Sequence, residues 1–243
     1  MKPLNKLMQL LRDNARAEGQ PSIRMDSTAD GAHIYVYDVI DAWWGASASA
    51  LIEALAGVGD QTVHLHINSP GGDVFEARAM ASAIVAHPGQ VISHIDGMAA
   101  SAATYLALAA SEVRMTEGGL FMIHNSWTLA YGNKNELRAT ADLLDKIDGT
   151  ITNDYTKRTG ASADQVRAWM DAETWFTAQE ALDHKFIDAI DPASKKEQAR
   201  WNLSAYANAP QLSQPEEPPL EQLLQAHQHR RNRVTALFGA NRI

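Results

Sequence analysis

The chain has 243 residues, 45% of them hydrophobic, with a formal net charge of −8 and no cysteine. That length suits one sizeable domain with appendages, the acidity argues against a general nucleic-acid binder, and the missing cysteines exclude disulfides, thiolate metal sites and a cysteine nucleophile. No run of about 18 apolar residues occurs, so no membrane-spanning helix is expected, and a cytoplasmic setting is the natural expectation.

Residues 1–32 begin MKPLNKLMQLLRDNARAEGQ, whose polar residues interrupt the leucines too often for a secretory signal core. They read as an amphipathic or flexible lead-in. From residue 33 to about 192, short β-branched runs feed helical stretches. HIYVYDVI and TVHLHI alternate as strands, NSPGG is a turn, and DVFEARAMASAIVAH has helical apolar spacing. VISHID reads as a strand, GMAAS as a glycine turn and AATYLALAA as a helix, the βα order of a helix-covered sheet. SEVRM and LFMIH are further strands. Leu137, Leu144, Ile147, Ile151 and Tyr155 recur at helical steps in a long segment that Gly160 can stop. Ser162 with Gln165, and Thr177 with Glu180, have capping-box form. Residues 193–219 read as a linker, proline-rich at its end, and residues 220–243 as a helical or disordered tail in which HRRNR is a solvated basic patch.

One serine, Ser101, stands where the third of these strands meets its helix. A serine hydroxyl is a weak nucleophile until a base takes its proton, and the oxyanion it creates needs fixed N–H donors. A lone serine among alanines is equally a packing residue. Three features bear on the choice: Gly71 and Gly72 at another strand-to-helix turn, where backbone N–H groups can approach a carbonyl; His124 at the end of an apolar strand; and Asp171 and Glu173, either of which could orient that histidine. The order Ser, His, acid and the lack of a G-x-S-x-G elbow separate the chain from α/β-hydrolases. His64 and His66 alternate on one strand face without a clear third ligand, so no metal site is expected there; His94 and His184 are read the same way. Trp43, Trp44 and Trp175 read as packing or subunit-contact residues.

INSPGGDVFEARAM, DGMAASAATYLALAA, FMIHNSW and AETWFTAQEALDHKFID, in that order, resemble the four signature blocks of the Clp protease proteolytic subunit family. The ETW variant and the long extensions at both ends resemble the Clp-like head maturation proteases of tailed phages and prophages. The resemblance implies an α/β, ClpP/crotonase-like fold of repeated ββα units and a serine endopeptidase without cofactor. It implies Ser101 as nucleophile, His124 as general base, and Gly71, Gly72 and the N–H of Ala102 as the oxyanion hole. The family's acid is an aspartate; Glu173 stands at that position, with Asp171 as the alternative. Lys185 replaces the usual glycine after the following helix, so that turn is expected to differ. The implied partners are copies of the chain in a ring, single or stacked, and protein or peptide substrates, with phage scaffold, capsid or portal proteins as the expected class and the prohead as a further location. Three rivals remain open at this point: an ATPase-coupled Clp subunit fed by an AAA+ unfoldase, an inactive ring-forming scaffold, and a crotonase acting on acyl-CoA.

Overall fold

The computed structural model describes residues 6–14, 22–192 and 201–210. The basic patch HRRNR and the tail fall outside the described residues, as does most of the expected linker. The elements in chain order are α1 (Lys6–Asn14), β1 (Ile23–Thr28), β2 (Gly31–Val36), α2 (Ala48–Val58), β3 (Val63–Ser69), α3 (Val74–Ala86), β4 (Val91–Ala100), α4 (Ala103–Leu108), β5 (Glu112–Thr116), β6 (Leu120–Ile123), α5 (Lys134–Thr159), α6 (Ala163–Asp171), β7 (Thr174–Thr177), α7 (Ala178–Asp183) and β8 (Ala189–Asp191). The fold is the mixed α/β architecture expected. β1–β2–α2 and β5–β6–α5 run strand, strand, helix, whereas β3–α3 and β4–α4 are single-strand βα units.

The eight strands make one sheet, ordered β1-β2-β3-β4-β5-β8, with β6 on β4 and β7 on β6. β2, β3, β4, β5 and β8 are parallel; β1 is antiparallel at the edge. The sheet therefore starts at Ile23, ten residues ahead of the expected domain start, because Ile23–Thr28 pairs with β2 through a two-residue turn. α2 has no counterpart in the sequence reading. Ser47 caps it by accepting from the N–H of Ala50, and it buries Leu51, Leu55 and Val58 at helical spacing.

The two faces of the sheet differ in chemistry. Ile34, Leu65, Ile95, Val113 and Met115 point into a core shared with Met80 and Leu106, all nearly or fully buried. The alternate positions, His33, Tyr35, His64, His66, His94, Asp96 and Arg114, make a half-buried polar face.

Of the expected glycine turn at residues 97–101, residues 97–100 are instead strand. β4 runs on through Gly97 and changes partner, pairing with β5 over Ile92–Ile95 and with β6 over Met98–Ala100. Gly97 is glycine because a Cβ there would stand 2.9 Å from Oδ1 of Asn68. α5 is 26 residues long, about 39 Å at 1.5 Å per residue. An Asn133–Glu136 capping box opens it and left-handed Gly160 closes it, and it buries only Ile151, Thr152, Tyr155 and Thr159. Its first half is exposed, including Leu137 and Leu143. The Thr177–Glu180 box opens α7 as expected, while at Ser162 the cap accepts from the N–H of Gln165. Lys185 keeps the left-handed turn after α7, at φ +62°, a conformation a glycine would adopt without strain.

A second, smaller cluster joins α1 to residues 201–210. Leu10, Leu203, Ala205 and Tyr206 pack on Met98, Ala100 and Met122. Residues 201–209 of the expected linker thus belong to the same compact unit as the sheet.

Candidate active site

Ser101 follows the last residue of β4, and His124 follows the last residue of β6. The parallel pairing Ala100↔Met122 brings the two strand ends side by side, and the N–H of Ser101 donates to the carbonyl of Met122 at 2.8 Å. The side chains meet: Ser101 Oγ lies 2.7 Å from His124 Nε2. Ser101 is held at φ +53°, a region that costs a non-glycine residue energy and is most often retained at functional sites. Its carbonyl accepts from the N–H and the hydroxyl of Thr104, which anchors the bend from strand to helix.

The expected oxyanion residues are divided by the structure. Gly72 and Ala102 line the same cavity as Ser101 and His124. The N–H of Gly71 instead donates to Ser69 Oγ at 3.1 Å. Both glycines are required by backbone, at φ +90° and +151°; a Cβ on Gly71 would come within 2.5 Å of the Ala100 carbonyl oxygen and one on Gly72 within 2.0 Å of that of Ile40. Across the cavity, Leu143, Leu144, Ile147 and Ile151 of α5 face Val74 and Phe75 of α3 and form an apolar wall.

His124 is only 8% exposed. The edge of Trp127 lies 4.4 Å away and the ring of Tyr206 5.4 Å away, centroid to centroid. Burial, and secondarily the positive charge of Lys6, push its pKa from 6.5 down to about 3. Burial thus favours the neutral imidazole, the form in which Nε2 can accept from the serine hydroxyl. The same dry surroundings oppose the imidazolium that a general base must become.

The two acid candidates lie nearby but are engaged elsewhere. The antiparallel β6–β7 register pairs Ile123 with Thr174, the residues directly before His124 and directly after Glu173. Glu173 is 8% exposed and at φ +49°. Its carboxylate accepts from the backbone N–H groups of Ala207, at 3.0 Å, and Asn208, at 2.7 Å. Asp171 is exposed and accepts from Asn125 Nδ2 at 2.8 Å. Tyr206 is the site residue that sequence reasoning missed. It is 5% exposed, lines the cavity, donates to the Pro70 carbonyl and packs on Trp127 and Trp175. Its only sequence signal is a tyrosine in the short apolar run WNLSAYA ahead of the prolines. Trp43 and Trp44 are 86% and 56% exposed, so they are not core residues.

A model of the family described as Clp protease matches residues 24–193. The chain is similar to ATP-dependent Clp protease proteolytic subunit 1 of Leifsonia xyli, 30% identical over 145 residues that cover 59% of this chain and 74% of that protein. Proteolytic subunit 2 of Mycolicibacterium paratuberculosis is 28% identical over 130 residues, 53% of this chain and 65% of the relative. A Bacteroides fragilis proteolytic subunit is 29% identical over 130 residues, 53% and 63%. The chain thus spans just under two thirds of the second and third relatives.

The depressed pKa of His124 has a thermodynamic consequence. Between about 3 and its ordinary 6.5 the unfolded chain binds a proton at this site that the folded chain does not, so stability falls as pH falls through that window. Urea unfolding of the wild type and of His124→Gln from pH 7 to pH 4 should show the wild type losing stability more steeply, by at most about 1.4 kcal/mol per pH unit. Parallel profiles would show that burial does not hold the imidazole neutral.

Proposed function

This chain belongs to the Clp protease family, and from that premise we propose that it is a serine endopeptidase whose nucleophile is Ser101 and whose general base is His124. The observation that carries this reading is the 2.7 Å contact between Ser101 Oγ and His124 Nε2. In the first half-reaction Oγ attacks the scissile carbonyl while Nε2 takes its proton. Nε2 then returns that proton to the leaving amine, and the acyl-enzyme forms. In the second half Nε2 takes a proton from water, which attacks the ester, and returns it to Oγ as the C–Oγ bond breaks and the acid product leaves. The N–H groups of Gly72 and Ala102 serve the oxyanion, with Gly71 setting the turn and Glu173 stabilising the imidazolium; Asp171 is the alternative acid. The apolar wall of Leu143, Leu144 and Ile147 favours substrates with an apolar side chain beside the scissile bond.

The assembly is a ring of identical chains. Support comes from the exposed half of α5, with Leu137 and Leu143, and from exposed Trp43 and Trp44, which offer apolar surface for subunit contact. The substrates are phage scaffold, capsid or portal precursors cut in the host cytoplasm or the prohead, a setting supported by the ETW variant and the extensions. A second reading is favoured by the relatives, whose names say ATP-dependent and proteolytic subunit: a partner of an ATP-driven unfoldase. An inactive scaffold has no use for a serine–histidine contact of this kind, and an acyl-CoA enzyme of the crotonase type leaves it unexplained.

Ser101→Ala and His124→Ala should each lower kcat/KM for short unstructured peptides by about 10² to 10⁴ or more, with particle size by light scattering unchanged. The double variant should be no slower than the slower single, because the pair acts as a unit. Near wild-type activity in Ser101→Ala would exclude the serine mechanism.

A further inference from the structure

We propose that Asp30, His33 and His64 form a binding site for a divalent transition-metal ion such as Zn²⁺, on the polar face of the sheet. Asp30 lies in the β1–β2 turn, His33 on β2 and His64 on β3, which are directly paired as His33↔His64. One ligand atom from each lies within 4.8 Å of the other two. Asp30 Oδ1 is 3.4 Å from His33 Nε2 and Asp30 Oδ2 is 4.0 Å from His64 Nε2. Two ligands placed tetrahedrally on an ion at about 2.0–2.1 Å stand about 3.3 Å apart.

The surrounding network holds the two imidazoles in place. From Asp30 two chains of imidazoles cross the sheet. In the first, His33 Nδ1 meets His66 Nε2 at 3.0 Å and His66 Nδ1 meets Asp96 Oδ2 at 2.9 Å. In the second, His64 Nδ1 meets His94 Nε2 at 3.0 Å and His94 Nδ1 faces Asp191 Oδ2 at 3.6 Å. Both inner rings thus engage the next histidine through Nδ1 and turn Nε2 toward Asp30, beside the Thr28 hydroxyl, which contacts both Asp30 and His33 Nε2.

The four rings form one packed group with centroids 4.8–5.2 Å apart. A divalent cation at Asp30 is within reach of both inner rings at once. The outer carboxylates and histidines are then the partners that fix ring orientation and the ligating tautomer. Two imidazoles with one carboxylate suit zinc and its neighbours rather than magnesium or calcium. Asp30 is exposed, which leaves an approach for the ion and for completing water ligands.

The untagged full chain, stripped with chelator, is titrated with ZnCl₂ by calorimetry and with CoCl₂ by visible absorption. One ion per chain and cobalt d–d bands are expected. Asp30→Asn and His64→Gln should abolish the bands, and His94→Gln, which removes an outer partner, should weaken binding about 10- to 100-fold. Each variant should match the wild type by circular dichroism without metal and keep its hydrolysis of short peptides. Wild-type uptake no greater than that of His64→Gln would overturn the site.

A separate observation supports a second inference, which rests on the peptidase reading. The geometry points to residues 203–208 as an autoinhibitory strap that diverts Glu173 from His124. Tyr206 lines the cavity beside Ser101, while the N–H groups of Ala207 and Asn208 occupy the carboxylate of Glu173, whose neighbour Thr174 pairs with Ile123 next to the histidine. Trp201 Nε1 donates to Asn68 Oδ1 and Asn208 Nδ2 to the Ala172 carbonyl, fixing both ends. Release of the strap frees space for substrate and a carboxylate for the imidazolium in one movement.

Ala207→Pro, which deletes an N–H donor to Glu173, and Tyr206→Ala should each raise hydrolysis of a short peptide, about tenfold if the open form is about one molecule in ten. Glu173→Gln should slow the reaction, alone or combined with either. Unchanged or slower Ala207→Pro and Tyr206→Ala, with Ser101-dependent activity intact, would overturn the strap alone. No Ser101-dependent activity in any variant would overturn the peptidase reading and the strap with it.

Discussion

The pairing of Ala100 with Met122 is the constraint from which the site follows. β4 is long enough to serve two partners, and where it leaves β5 for β6 it delivers Ser101 to the strand end that also delivers His124. The bond from the Ser101 N–H to the Met122 carbonyl ties backbone to backbone one residue before the side chains meet. That support allows a non-glycine residue to stay at φ +53°. A local strain of this kind persists when the surrounding packing over-determines it, and fully buried Ala99, Ala100, Ala103 and Phe121 supply that packing.

The same sheet keeps two chemistries apart. One face buries aliphatic side chains under α2, α3 and α4; the other gathers histidines, tyrosines, aspartates and an arginine into a hydrogen-bonded surface. Arg114 closes it at β5 by donating to both oxygens of Asp191 and to Glu112. Tyr37 donates to Asp96 and so joins the ladder at its other end. Polar groups this well connected are costly to leave partly satisfied.

Much of the framework was legible in the sequence because it depends on local patterns. HIYVYDVI, TVHLHI and SEVRM read as strands, and β2, β3 and β5 overlap them with shifted ends; the apolar steps from Leu137 to Tyr155 with Gly160 beyond predict α5 within a residue or two. Four motif blocks point to Ser101 and His124. Reading Gly97 as a turn failed because its smallness serves contact with Asn68, a tertiary demand that imitates a turn signal. The third ligand candidate for the histidine face was hidden because Asp30 and His33 lie some thirty residues from His64 and meet it only through strand pairing. The strap was hidden for the same reason. Tyr206 reaches Pro70, 136 residues away, from a segment too short to show periodicity.

The central claim is that Ser101 is a nucleophile made reactive by His124. Incubation of the full chain with a fluorophosphonate probe, followed by peptide mapping in a mass spectrometer, tests it most directly. The account predicts a single adduct, on Ser101, that disappears in His124→Ala. An adduct on another residue, or labelling that persists undiminished without His124, would contradict it.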